Sequence, residues 1–259
     1  MATMAGVIVL LPPSEGKTLA ASGPVLDFDE LSFPELTGAR IEVLESLAEV
    51  SAEPDACEQL GVGLSLQDDV ERNTHLTEIP CAPALETYTG VLYAALDAGS
   101  MRGKAGERLS QVYVSSALFG LLAAGDPIPA YRLSMKTKLA AHGVLATWWK
   151  KRLSPVLDEE FAGQLILDCR STEYRKSWPG PVDQVVTVTA VTEKNGKRSV
   201  VSHNAKLTRG ELAGHLLRSR AGLPETPEAL LKAARKHYEA ELTPATKRKP
   251  AELTIVLPG

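Results

Sequence analysis

Four short segments place cations, carboxylates and phenols at the ends of apolar runs. The first is Pro12-Pro13-Ser14-Glu15-Gly16-Lys17-Thr18, which closes the run Val7–Leu11. A loop after a strand offers free backbone N–H groups, and a lysine there can hold a phosphate as a point charge. The ending Gly-Lys-Thr is also that of a phosphate-binding loop, but that motif needs a glycine five residues before Gly16, where this chain has Leu11. Taken alone, these residues are better explained as a surface turn with a solvated lysine. The second segment is Tyr131-Arg132-Leu133-Ser134-Met135-Lys136. A tyrosine followed by an arginine can stack on and clamp a planar or anionic group. A half-buried strand explains the same residues equally well.

The third segment, Asp168-Cys169-Arg170-Ser171-Thr172-Glu173-Tyr174, follows the apolar stretch Leu165–Leu167. Open α/β sheets bind ligands at such strand ends; the structural alternative is a turn capped by Ser171. The fourth is Ala205-Lys206-Leu207-Thr208-Arg209-Gly210-Glu211. Thr208 and Glu211 have the spacing of a capping box, so a helix is predicted from Thr208 to about Arg220. That places Lys206 and Arg209 where the helix dipole favours an anion, and two cations there point to an external anion. His203 is better read as an ordinary strand residue than as a base. No serine sits in a nucleophile-elbow pattern.

The elements that position these segments follow from pattern. Val7–Leu11 is too short for a helix and reads as a buried strand. Ser32-Phe33-Pro34-Glu35 predicts a capped helix to about Val50, followed by a weaker helix over Asp55–Leu66. Thr87–Leu96 reads as a helix with Val91, Leu92 and Ala95 on one face. Gln111–Ser115 and Gln164–Cys169 read as strands, with one or two helices over Lys138–Leu157. Gln184–Glu193 alternates in strand fashion, and Asn195-Gly196 predicts a type I′ hairpin into Lys197–His203. Thr226-Pro227 opens a helix to Glu241, and Leu253–Leu257 is a final strand. Strand–helix alternation with one hairpin predicts a single α/β domain over residues 1–259, built on a mixed sheet flanked by helices.

Bulk properties exclude several classes. The 259 residues are 44% hydrophobic and 23% charged, with a net charge of −4. That is ordinary globular composition, and it excludes a uniformly basic nucleic-acid coat. No apolar run approaches the roughly 20 residues of a membrane span. The five-residue run near the start has no basic flank, so no signal peptide is expected. Cys57, Cys81 and Cys169 form no CxxC, which fits a reducing, cytoplasmic setting. No His or Cys pair has metal spacing, so neither a metal nor a cofactor is expected. Charge is segregated: residues 27–78 hold fourteen acidic and two basic residues, net −12, whereas residues 131–220 hold sixteen basic and eight acidic, net +8.

Taken together, the chain resembles the YaaA family of peroxide stress resistance proteins over nearly its whole length. Six ordered motifs carry the resemblance. They are Pro12-Pro13-Ser14-Glu15-Gly16-Lys17, Tyr88-Thr89-Gly90, Ser116-Ala117-Leu118-Phe119-Gly120, Tyr131-Arg132-Leu133-Ser134-Met135, Ser171-Thr172-Glu173-Tyr174 and Ala205-Lys206-Leu207-Thr208-Arg209-Gly210. Ala117 replaces the family's usual glycine and Phe119 its usual tyrosine, which removes one phenol from the site. The resemblance implies one α/β fold with a positively charged cleft and a role in limiting oxidative damage at DNA. The expected ligand or DNA contacts are Ser14, Lys17, Tyr88, Tyr131, Arg132, Ser171, Tyr174, Lys206 and Arg209.

Two functions remain open. In the first, the cleft binds DNA, with cations on phosphates and tyrosines stacked on bases. In the second, it is an enzyme for a small nucleotide-like anion, with Glu173 as general acid or base and Lys206 or Arg209 stabilising negative charge. A monomer is expected. In both, Lys17, Arg132, Glu173, Lys206 and Arg209 line one cleft at one edge of the sheet, with the acidic region 27–78 outside or on its rim.

Overall fold

The computed structural model describes residues 6–194, 197–200 and 202–258. Eight strands form one mixed sheet: β1 (Val7–Leu11), β2 (Val112–Ser116), β3 (Gly120–Ala123), β4 (Leu165–Asp168), β5 (Val185–Lys194), β6 (Lys197–Val200), β7 (Glu239–Thr243) and β8 (Ala251–Pro258). Their order is β7-β8-β5-β4-β1-β2-β3, with β6 hairpinned onto β5. β2, β1, β4, β5 and β8 are parallel, and β3, β6 and β7 run against their neighbours. Every residue of β1 is buried, as expected of a central parallel strand covered on both faces. The main helices are α1 (Thr37–Ser51), α2 (Val91–Leu96), α3 (Leu145–Glu160), α4 (Ser202–Arg218) and α5 (Pro227–Ala234). The mixed α/β architecture is the one expected from sequence.

Topology selects the working edge. The next sheet strand after β1 is β2 on one side, and the next after β4 is β5 on the other. The adjacent pair β1/β4 is therefore a switch point, where diverging connections leave a crevice beyond the carboxyl ends. The loop after β1 carries Ser14 and Lys17; the loop after β4 carries Ser171 and Tyr174.

A buried ion pair fixes that crevice. Asp168, the last residue of β4, takes two guanidinium bonds from Arg170, at 2.9 Å to Nε and 2.8 Å to Nη2, and accepts Arg170 N–H at 2.9 Å. Arg170 also donates to Trp178 O at 2.7 Å and to Ser115 Oγ, on β2, at 3.3 Å. The guanidinium thus reaches from the end of β4 to β2, with β1 between them. A second buried arginine, Arg40 of α1, donates to Ser32 O, Phe119 O and Leu121 O, bolting the acidic N-terminal region to β3.

Several local expectations are corrected. Ser32 does not cap α1: its hydroxyl and N–H both bond Asp126, and a 3₁₀ turn at Pro34–Leu36 precedes the helix. The weaker helix expected over Asp55–Leu66 is shorter, Ala56–Leu60, and ends at Gly61 with φ +67°. The expected helix from Thr87 is broken, because Tyr88 is extended and bridges to Lys17. In α2 it is Leu92, Tyr93 and Leu96 that are buried, while Val91 is exposed. Lys138-Leu139 and Gly143-Val144 form a small hairpin ahead of α3. The helix opened by Thr226 stops at Ala234, and Glu239–Thr243 is a strand.

The largest revision is α4. It begins at Ser202, so Thr208 is internal and donates its hydroxyl back to Asn204 O at 2.9 Å. Lys206 and Arg209 therefore lie beyond the first turn, and the dipole argument for an anion there does not hold. Gly210 serves contact instead: a Cβ there would lie 2.2 Å from Leu92 O of α2. The Asn195-Gly196 turn and the side chain of His203 lie outside the described residues.

Removing one partner of a buried, hydrogen-bonded pair strands the other charge. Asp168→Ala is expected to lower unfolding stability by about 3–5 kcal/mol, measured by urea denaturation. A loss below 1 kcal/mol would show that the pair does not brace the edge.

Candidate functional site

Six of the expected residues, Ser14, Lys17, Tyr88, Tyr131, Arg132 and Tyr174, meet beyond β1 and β4. Thr18 N–H donates to Thr87 O at 2.8 Å, tying the Lys17 loop to the extended Tyr88 segment. Ser14 Oγ accepts Thr89 N–H at 2.9 Å and tightens the same seam. The Lys17 side chain then lies across two phenol rings, with Nζ 4.2 Å from the Tyr131 centroid and 5.4 Å from that of Tyr88. Its hydrogen bond goes to Ser14 O at 3.1 Å. Among the described residues, Lys17 has no carboxylate within ion-pair distance.

Beneath the amine runs a chain of hydroxyls. Tyr88 Oη and Tyr131 Oη are 2.8 Å apart, and Tyr131 Oη is 2.8 Å from Ser116 Oγ, which accepts Phe119 N–H. Tyr93 stacks on Tyr88 at 5.7 Å and donates to Pro12 O at 2.7 Å. Phe119 meets the Tyr131 ring edge-on at 5.6 Å, so the position that lacks a phenol still forms a wall. Tyr174 is buried nearby and accepts Met135 N–H at 3.4 Å.

Electrostatics follow from this packing. Burial pulls the Lys17 amine down to about 7; Glu15 opposes the shift and Arg132 adds to it. Burial also pushes the phenols of Tyr88, Tyr93, Tyr131 and Tyr174 up, so they are neutral hydrogen-bond donors at physiological pH. Arg132 is held through its backbone by the Asn73 amide, at 2.8 and 2.9 Å. Its guanidinium bonds Glu15 O at 3.0 Å and pairs with the Glu15 carboxylate at 3.2 Å. The acidic region therefore rims the site, through Asn73 and through Asp69, one of the charges acting on Lys17.

The remaining expected residues sit differently. Arg209 is at the same sheet edge but turns to the protein, its Nε and Nη2 donating to Val188 O at 3.1 and 2.8 Å. Lys206 is exposed on α4. Ser171 and Glu173 are on the exposed turn after β4, and Glu173 pairs with Lys176 at 2.9 Å. Sequence reasoning gave no site role to Ser116, Tyr93, Glu15 or Asn73. Ser116 was findable, since it lies at the end of a parallel strand within a quoted motif; Asn73 offers no local signal.

A family model described as "Peroxide stress protein YaaA" matches residues 7–242. The chain belongs to the YaaA family. A UPF0246 protein of Streptomyces coelicolor is 39% identical over 258 residues, covering 97% of this chain and 98% of its own. Another UPF0246 protein, from Corynebacterium glutamicum, is 43% identical over 212 residues, covering 80% of this chain and 83% of its own. An uncharacterised Campylobacter jejuni protein is 30% identical over 213 residues, covering 79% and 82%. The family's association is with peroxide, yet all three cysteines are buried free thiols. Burial pushes the Cys169 thiol up to about 12 and the Cys81 thiol up to about 11. Among the described residues no helix is long and apolar enough to cross a membrane.

Two outcomes follow from these environments. Between about pH 7 and 10.5 the unfolded chain binds a Lys17 proton that the folded chain does not, so Lys17 makes stability rise with pH across that window. Lys17→Met is expected to raise Tm at pH 6, by about 2–4 °C per kcal/mol recovered, with the difference from wild type disappearing near pH 10.5. An equal effect at both pH values would rule out the buried, depressed amine. For the thiols, N-ethylmaleimide at pH 7.5 is expected to leave Cys169 unmodified in the native protein and to label it after denaturation, because the reactive form is the thiolate. Rapid native labelling would overturn its assignment as an inert core residue.

Proposed function

We propose that this YaaA protein binds a small, nucleotide-like anion at the carboxyl edge of the sheet and acts on it with the Lys17 amine. The observation that carries the reading is the placement of Lys17: an amine over two phenol rings, without a carboxylate partner among the described residues, near a guanidinium. An amine with a substantial unprotonated fraction at neutral pH can serve as base or nucleophile, which is more than phosphate binding requires. Arg132 supplies the anion contact, with the Glu15 carboxylate standing where the ligand's anion would go. Glu173, exposed and paired with Lys176, is less suited to general acid–base work than Lys17.

DNA binding in the same cleft is the second reading, favoured by the net charge of +8 over residues 131–220 and by exposed cations such as Lys136, Lys176 and Lys206. Against a groove lined by free cations, Arg132 and Arg209 already serve protein oxygens. Either reading is compatible with a peroxide stress protein, the words of the family's description.

Calorimetric titration with pyrophosphate and AMP, and with a duplex oligonucleotide, separates the two. The small-anion reading expects Arg132→Gln to weaken pyrophosphate or AMP binding about tenfold or more, the equivalent of ~1.4 kcal/mol. The DNA reading expects oligonucleotide affinity to fall by about 10³ or more between 50 and 200 mM salt. Steep salt dependence with no measurable small-anion binding would replace the first reading by the second.

A further inference from the structure

The residues around Lys17 also indicate what kind of group it meets, and this step rests on the small-anion reading. A lysine used only as a cation is normally left in solvent or given a carboxylate. Here the nearest carboxylate donor in sequence, Glu15, is given to Arg132 instead, at 3.2 Å. Lys17 has a backbone carbonyl and two aromatic faces. A depression of about 250 Å³ is lined by Glu15, Arg132, Ser134 and Lys136 together with apolar side chains such as Leu60 and Leu133, and it shares Glu15 and Arg132 with the surroundings of Lys17. That is smaller than the ~300–1,000 Å³ of typical drug-sized sites. Two cations and a hydroxyl line the depression, and the Lys17 amine, outside that lining but near Glu15 and Arg132, has no ion pair among the described residues.

We propose that Lys17 Nζ condenses with the carbonyl carbon of a phosphorylated aldehyde whose phosphate is held by Arg132, Ser134 and Lys136. In the first step the nitrogen lone pair forms a C–N bond while the C=O π bond breaks, and a proton passes from nitrogen to oxygen. In the second, the C–O bond breaks as C=N forms, and the oxygen leaves as water with the second amine proton. The reaction needs no oxidant or reductant. The buried phenols of Tyr88 and Tyr131 form the hydrogen-bonding floor beneath the amine. Glu15 acts as an internal competitor: it must leave Arg132 before phosphate enters. The same chemistry is presented by a free sugar phosphate in its aldehyde form and by an abasic site in a DNA strand.

The experiment is reductive trapping. The intact protein is incubated at pH 7 with glycolaldehyde phosphate, with unphosphorylated glycolaldehyde, or with an oligonucleotide carrying one abasic site. Sodium cyanoborohydride is then added and modified peptides are mapped by mass spectrometry. Glycolaldehyde phosphate is expected to modify Lys17 at least tenfold faster than the exposed Lys206. Arg132→Gln should abolish that preference for the phosphate ester while leaving the slow reaction with glycolaldehyde, and Glu15→Gln should enhance it. Trapping of the oligonucleotide assigns the aldehyde to DNA; trapping of the small ester alone assigns it to a free metabolite. Lys17 labelled no faster than Lys206 by either phosphorylated aldehyde overturns the proposal. If pyrophosphate still binds through Arg132 in that case, the small-anion reading survives; if it does not, both fall. Lys17→Met, assayed at unchanged or raised Tm, must lose the adduct without losing the fold.

Discussion

The carboxyl edge of this sheet depends on the fork between Asp168 and Arg170. Both side chains are withdrawn from water, and such a pair survives only if its remaining donors are also satisfied. They are: Arg170 uses Trp178 O and Ser115 Oγ, which lie on other parts of the chain. The consequence is geometric rather than a gain in stability. The end of β4 is tied to β2 across β1, and the crevice at the switch point is held at one width. Loops that start from these strands inherit that width, including the loop that delivers Lys17.

The second constraint is the partitioning of charge within that crevice. Ser14, Glu15 and Lys17 occupy one short loop, yet their side chains go to different tasks. Ser14 ties the loop to Thr89, Glu15 leaves to neutralise Arg132, and Lys17 folds inward onto phenols. An amine so placed loses hydration and receives one backbone carbonyl and the partial charge of ring faces in return, so its ionised form is disfavoured. The phenols respond in the opposite sense, remaining protonated. The site thus pairs a basic amine with neutral donors, next to a guanidinium that can be freed by moving one exposed carboxylate.

Much of the sheet was legible because buried parallel strands are apolar runs: Val7–Leu11, Leu165–Leu167 and Val185–Val191 each announce themselves. Gly120–Ala123 did not, since it continues the apolar stretch from Ala117 without a break. Glu239–Thr243 was absorbed into a helix because its alternation buries only Ala240 fully. Thr226 caps its helix as read, but the two capping boxes misled: a hydroxyl followed by a glutamate three residues on is a local pattern, and other partners override it. Ser32 serves Asp126, and Thr208 bonds backward inside a helix that had already begun. In the site, Lys17 and Tyr174 were legible as residue types after strands and Tyr131-Arg132 as a clamp, whereas Tyr88 entered only through the family resemblance. Their roles were not, because whether a lysine is a cation or an amine is set by burial, which no local spacing encodes.

The central claim is that Lys17 is an amine poised near neutrality rather than a permanent cation. Selective ¹³Cε and ¹⁵Nζ labelling of lysine, with Lys17→Met to assign the resonance, allows its titration to be followed directly by NMR. This structure predicts a midpoint near pH 7 for Lys17, well below that of the other lysines. A midpoint near the ordinary lysine value of 10.5 would contradict the account and return the site to simple anion binding.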